Sequence, residues 1–235
     1  MRESHFLLIF ENNDFVVINK QNNINFHCEE GELGVVVAAE KVLGIKLFSV
    51  HRLDKMTSGL LLLAKSAVIA GLLSRLFRER EIEKYYIAIS DKKPKKKQGL
   101  IKGGMEKSRR SMWKLTKNKG NLAITQFFSF AFENGKRLFV IKPHTGKTHQ
   151  IRVALKSLGS PICGDPLYAD KTEVANYDRG YLHAYQISFN LKGEVHNFTA
   201  PPSEGALFLD ALIENKLKEL SQLTNLNWPK LKVSG

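Results

Sequence analysis

Cysteine is scarce: Cys28 and Cys163 are the two in 235 residues, and neither sits in a Cys-x-x-Cys pair. That count excludes a zinc site built from cysteines and leaves no disulfide framework to expect. Two isolated thiols fit a reducing compartment, so a cytoplasmic protein is expected. Long apolar runs are missing as well. None approaches the roughly 20 residues that a membrane helix needs, and no membrane partner is expected. The N-terminus has no basic stretch leading into a long apolar one, so no secretory signal is expected either. There is no Ser-His-Asp order, no nucleotide-binding glycine fingerprint, no internal repeat, and no linker that would cut the chain in two. Thr145-Gly146-Lys147-Thr148 could meet a phosphate, but it lacks the spacing and preceding glycines of a P-loop.

Acidic residues are also in short supply: 23 Asp and Glu stand against 36 Lys and Arg, a net charge of +13. The excess is focused. Residues 92–119 hold twelve cations (Lys92, Lys93, Lys95, Lys96, Lys97, Lys102, Lys107, Arg109, Arg110, Lys114, Lys117, Lys119) and one acid, Glu106, so this segment carries +11 of the +13. A focused basic patch favours a polyanionic partner. Its Gly and Lys content reads as a mobile loop inserted into a folded domain.

What is present describes a globular chain. Apolar residues make up 43% of the sequence, and the length suits one large domain or two small ones. Residues 6–10 and 14–19 read as strands joined by Asn12-Asn13-Asp14 turn chemistry. Residues 32–43 carry a weak helical pattern. Val68, Ile69, Leu72, Leu73, Leu76 and Phe77 mark an amphipathic helix over 67–80. Strands are expected at 85–89, 122–132, 137–141, 181–190 and 195–199, with Asn134-Gly135 signalling a hairpin. Helices are expected over 147–158, closed by Gly159, and from Ser203 or Glu204 through Leu220, with the last dozen residues frayed. The pattern predicts an α+β domain over residues 1–225, with a mixed, largely antiparallel sheet, flanking helices, the basic loop insertion at 92–119, and a tail at 226–235.

The stretch that concentrates chemistry is His51–Lys65, HRLDKMTSGLLLLAK, where a charged turn runs into the buried strand Leu60–Ala64. Asp54 lies at the mouth of that core with Arg52 before it and Lys55 after, which makes it a candidate nucleophile or base. The same spacing suits an Asp that caps a turn and pairs with its neighbours, and on spacing alone that is the commoner arrangement. Arg152 interrupts an otherwise apolar helix; a buried Arg needs a carboxylate partner, and Asp54 is the acid expected to serve. Lys84-Tyr85-Tyr86 opens a strand, so one Tyr faces the core and the other is placed to stack on a base. His144 and His149, five apart, are poorly spaced for two metal ligands on one helix face. From the residues alone, the chain reads as an α+β domain that binds RNA or DNA and carries one suspicious aspartate.

His51-Arg52-Leu53-Asp54 followed by Thr57-Ser58-Gly59-Leu60 closely resembles the signature of the RluA family of RNA pseudouridine synthases. The likeness continues in order through Lys84-Tyr85-Tyr86, Ala123-Ile124-Thr125, Pro143–Arg152, Ser160–Asp165 with Tyr168, and Leu182-His183-Ala184, over about residues 6–202. The sequence departs from the family at Lys147, where Arg is usual, at Ala154, where His is usual, and at Gln21, where Pro is usual. Some relatives carry an extra N-terminal RNA-binding domain, which is expected to be absent here. The resemblance implies isomerisation of uridine to pseudouridine in ribosomal or transfer RNA, with no cofactor; no metal is expected from the histidine spacing, and a monomer is expected for lack of an exposed apolar repeat. It implies Asp54 as the catalytic aspartate, Arg152 as the cation that keeps it ionised, Tyr86 stacked on the target uracil, and Arg52 filling the space of the extruded base. Lys95, Lys96, Lys97, Arg109 and Arg110 are then expected to contact RNA phosphates. Two other classes remain open at this point: a non-catalytic RNA-binding or assembly module on the same fold, and a metal-dependent nuclease using His144, His149 and Asp54.

Overall fold

The computed structural model describes residues 5–29, 31–118, 120–220 and 223–231. Lys119 of the basic segment, and residues 1–4 and 232–235 of the expected domain and tail, lie outside the described residues. The chain forms two compact units. One combines the described residues up to Lys84 with His183–Glu204; the other combines Tyr85–Leu182 with the described residues from Gly205 on. Because the chain enters each unit twice, no single cut separates them.

The first unit is built around β4 (Thr57–Ala64), in which all eight residues are buried. An unbroken Leu run has no polar face to offer water, so it needs cover on both sides. β2 (Phe15–Lys20) pairs antiparallel with it, from Phe15↔Ala64 to Lys20↔Gly59. β1 (Phe6–Glu11) pairs with β2, and the turn between them is closed by Asn12, whose Oδ1 accepts from the amides of Asp14 and Phe15. The two-residue strand β3 (Phe48–Ser49) pairs with β4. On β4's other side lies β10 (Leu182–Leu191), which pairs with β11 (Glu194–Thr199) in a hairpin. Between β2 and β3 runs α1 (Val35–Leu43). α2 (Ala67–Glu79) starts at Ser66, whose hydroxyl caps the Ile69 amide, and lays Ile69, Leu73 and Leu76 against Leu60, Leu62 and Ala64. Its apolar period of three and four is what the sequence displays.

The second unit is a five-stranded sheet in the order β5-β9-β8-β6-β7, made of β5 (Glu83–Ser90), β6 (Gln98–Lys107), β7 (Trp113–Thr116), β8 (Leu122–Ala131) and β9 (Arg137–Pro143). The β8–β9 hairpin turns on Asn134 and Gly135, both at positive φ (55° and 75°), the backbone that makes Asn-Gly the favoured pair. α3 (Gln150–Ser157) lies on one face, and the short α4 (Lys171–Val174) follows it.

Three expectations need correction. The basic segment is not a loop: it forms β6 and β7, an antiparallel hairpin that continues the sheet from β8. Met105 is buried with Ala123, Val153 and Tyr168, and Trp113 and Leu115 pack against that group, so one face of the hairpin is core, while Lys102, Glu106 and Lys114 fall on the other. The charges and the Gly103-Gly104 pair disguise this alternation. Gly104 is there because a Cβ would meet the Asn118 carbonyl at 1.9 Å. The tail is not frayed over its described part either. Trp228 packs on Phe128 (ring centroids 4.9 Å apart) and Tyr85 (5.8 Å), its indole N–H donates to the Leu223 carbonyl, and the Pro229 carbonyl accepts from Gln126. A large aromatic ring docked on sheet aromatics outweighs the polar composition around it. The last helix, α5 (Ala211–Glu219), also begins later than expected, because Asp210 caps it through the Leu212 amide.

Candidate functional site

The segment between β3 and β4 carries Arg52 and Asp54. Arg52 is exposed, Leu53 is buried, and Asp54 is half-buried. The Asp54 carbonyl accepts from the Thr57 amide at 3.0 Å, which closes the turn at the mouth of β4. That bond is made by backbone and would serve with any residue at position 54. The next peptide is pinned from below: Lys20, fully buried, donates from Nζ to the carbonyls of Gln21 (2.9 Å), Ile24 (2.9 Å) and Lys55 (3.1 Å). An ammonium withdrawn from water needs acceptors on every side, and it binds the end of β2 to the residue after Asp54. His51 accepts the Leu62 amide through Nε2 at 2.9 Å and stacks on Phe77.

Ser58-Gly59 is joined to His183-Ala184 across the sheet of the same unit. Ser58 Oγ lies 2.7 Å from His183 Nδ1, and His183 Nε2 lies 2.8 Å from the Ala200 carbonyl, so the ring donates from Nε2 and accepts from the hydroxyl. Gly59 has φ +109°, and a Cβ there would meet the Ala184 carbonyl at 2.3 Å. Gly59 is thus required by the close approach of the Ala184 backbone, and Ser58 by the His183 ring, requirements that spacing could not reveal.

In the second unit, Tyr85 and Tyr86 alternate as expected. Tyr85 is fully buried, with its hydroxyl accepting from Lys142 Nζ at 3.0 Å, while Tyr86, paired with Ile141, is half-buried. Pro143–Gln150 is knitted to Ala123-Ile124-Thr125. The Ile124 amide donates to Thr145 Oγ1 (3.0 Å), and Gln150 Nε2 donates to the Ile124 carbonyl (3.1 Å) and Thr125 Oγ1 (2.9 Å). Gln150 Oε1 accepts from the Thr145 hydroxyl (2.6 Å) and the Lys147 amide (3.0 Å). His149 starts α3 in the left-handed region (φ 56°) with Nδ1 3.0 Å from the Tyr168 hydroxyl, and His144 Nε2 meets Gln126 Oε1. Each imidazole therefore has a hydrogen-bonding task, and among the described residues no three His, Cys, Asp or Glu side chains gather as metal ligands would.

Arg152 is 4% exposed, and its buried counter-ion within this unit is Asp165, which sequence reasoning did not single out. Arg152 Nε and Nη2 each donate to one Asp165 oxygen at 2.8 Å. Asp165 Oδ1 also accepts the amides of Leu167 (2.9 Å) and Tyr168 (3.1 Å), and the Tyr168 ring lies 5.1 Å from the guanidinium. A bidentate fork with the remaining lone pairs filled is the arrangement that makes a buried ion pair tolerable. The available signal was Asp165 following Gly164 in the same ordered stretch as Tyr168.

The five cations expected to meet phosphate are all exposed. Lys95, Lys96 and Lys97 precede β6, and Arg109 and Arg110 occupy the β6–β7 turn, where the Met112 amide donates to the Arg109 carbonyl and Arg110 has φ 53°. A ten-residue strand separates the two groups. At about 3.3 Å per residue, they are strung along the hairpin over roughly 30 Å rather than gathered at one point.

Known proteins define the class first. Two human proteins of solved structure, RNA pseudouridylate synthase domain containing 1 and domain containing 4, share the fold. The first has a TM-score of 0.74 at 21% identity, over 93% of this chain and 96% of that one. The second has a TM-score of 0.69 at 24% identity, over 91% and 92%. The chain belongs to the RNA pseudouridylate synthase family, whose model matches residues 14–157. A Haemophilus influenzae protein described as an uncharacterized RNA pseudouridine synthase is 47% identical over 212 residues, 90% of this chain and 94% of that protein. Ribosomal large subunit pseudouridine synthase C of Rickettsia bellii is 36% identical over 196 residues, 79% of this chain and 64% of that protein. The expected activity therefore holds: the protein is an isomerase that converts uridine to pseudouridine within RNA. No helix among the described residues is long and apolar enough to cross a membrane.

Proposed function

We propose that this enzyme modifies one or a few loop uridines of ribosomal RNA in the cytoplasm, as a monomer, using Asp54 as its catalytic aspartate. The observation that carries the reading is the Asp54 turn, anchored on both sides by buried groups at the head of the fully buried β4. A rigid support of this kind is what a reacting carboxylate requires. The target base leaves the helical stack, since its reacting atoms are inaccessible inside it. Its bond from ring nitrogen to ribose breaks, the ring rotates, and it is rejoined through carbon 5. No electron or group carrier enters that balance. Tyr86 stacks on the uracil, Arg52 fills the vacated space, and Arg152, oriented by the Asp165 fork, serves the bound substrate. The large-subunit activity in the name of the Rickettsia bellii relative supports ribosomal over transfer RNA.

Removing the protein from its host and mapping pseudouridines across all RNAs tests this reading. One or a few sites lost from ribosomal RNA are expected. Loss from transfer RNA alone would move the substrate, and an unchanged map would leave an RNA-binding module without an essential modification.

The hairpin is the proposed phosphate grip. Neutralising Lys95, Lys96, Lys97, Arg109 and Arg110 together is expected to weaken RNA binding and flatten its salt dependence, lowering the slope of log K against log salt by up to about 3.5. An unchanged slope would remove the hairpin from the interface.

A further inference from the structure

β3 stops two residues before His51. Its last pairs are Phe48↔Ala64 and Ser49↔Leu63. Continued by one step, the ladder would bring Val50 opposite Leu62, but the backbone turns away there to form the segment that carries Arg52 and Asp54. Leu62 is fully buried in the middle of β4, and its amide is left without a strand partner at that point. The His51 side chain fills the vacancy, with Nε2 accepting the Leu62 N–H at 2.9 Å. Since Nε2 accepts, the ring proton is on Nδ1 and the imidazole is neutral. Burial, with a smaller contribution from Lys84, pushes its pKa down to about 3, so the acceptor persists at every ordinary pH.

The ring's orientation has its own support. Phe77, on α2, stacks on His51 with centroids 4.6 Å apart and planes 27° apart. Lys84 Nζ lies 5.3 Å from the same Phe77 ring, and burial lowers its pKa to about 8. One side chain thus ties β4, α2 and the start of the Asp54 turn together. The other end of that turn is fixed by the bond from the Thr57 amide to the Asp54 carbonyl.

We propose that His51 is the positioning residue of the Asp54 turn: its imidazole, accepting the Leu62 amide and stacked on Phe77, sets where Arg52 and Asp54 stand relative to β4. This rests on the reading of Asp54 as the catalytic aspartate. His51 transfers no proton in this role. It acts through geometry, and its loss slows the chemical step while RNA is still held by groups elsewhere.

The experiment compares His51→Leu, His51→Gln and Phe77→Leu with the wild type and Asp54→Asn, on an RNA transcript that the wild type modifies. Single-turnover rate and RNA dissociation constant are measured separately. His51→Leu keeps an apolar body on Phe77 but has no acceptor, and it is expected to lose roughly 10- to 100-fold in rate, the scale of a misplacement near 1 Å, with its dissociation constant unchanged. His51→Gln restores an acceptor for the Leu62 amide and is expected to recover most of that loss. Phe77→Leu keeps the acceptor but frees the ring and is expected to fall between. If His51→Leu does not fold, His51→Asn, whose shorter side chain withdraws the acceptor, replaces it with the same expected loss. A wild-type rate in the acceptor-free variant, a Gln variant as slow as it, or a defect confined to RNA binding would overturn the assignment. A wild-type rate in Asp54→Asn would instead overturn the catalytic reading of Asp54.

Discussion

Asp54→Asn is expected to leave RNA binding within about twofold of the wild type while cutting pseudouridine formation on the order of 10⁴-fold or more, the scale seen when a group that acts on the reacting atoms is removed. The substitution is nearly isosteric. The turn it sits in is closed by the backbone of residue 54 and anchored through Lys20 and His51, so the loop has no reason to move. What changes is charge and nucleophilicity at one half-buried position. Tritium release from RNA labelled at carbon 5 of uridine reads the chemistry directly, because that hydrogen leaves when the carbon–carbon link to ribose forms. Filter retention of the same RNA reads binding. Turnover retained in the Asn variant would take Asp54 out of the reaction. Binding lost along with turnover would instead make Asp54 part of the RNA grip.

Much of this site was legible because its signals are local. The Leu60–Ala64 run reads as a buried strand, the Asn134-Gly135 pair as a hairpin, and the three-and-four period of residues 67–80 as a helix on that strand. What escaped is held by partners far apart in the chain. Ser58 meets His183 across 125 residues, and nothing in either neighbourhood names the other. Lys20 looks like the polar end of a strand, yet it is wholly buried because the Lys55 carbonyl, 35 residues away, joins those of Gln21 and Ile24 around its ammonium. The β6–β7 hairpin was hidden for a different reason. The segment is so rich in Lys and Arg that composition overwhelms the alternation of Ile101, Gly103 and Met105, and paired glycines inside a strand read as a break. Arg152 was recognised as a buried cation in need of an acid, but the acid in its own unit lies thirteen residues on, past the end of its helix. The need was legible, whereas the way Asp165 meets it depends on how the chain folds back.

Asp165→Asn is accordingly expected to destabilise the protein by about 3–5 kcal/mol, the cost of leaving a buried charge without its partner. The carboxylate accepts four donors: two from Arg152, and the amides of Leu167 and Tyr168. An Asn side chain presents one acceptor oxygen and turns its own N–H groups toward donors. Arg152 cannot escape by losing its proton, since a guanidinium stays charged in proteins. Urea unfolding checks this as a shift in midpoint at constant slope, and a loss below about 1 kcal/mol would show the site to be wetter or looser than its burial implies. The informative comparison is the double variant Arg152→Met with Asp165→Leu. Removing both charges spares their desolvation, so part of the stability lost in Asp165→Asn is expected to return. Activity is not expected to return with it, because the apolar pair removes the cation proposed to serve the bound substrate. A stable and fully active double variant would reduce the Arg152–Asp165 fork to scaffolding.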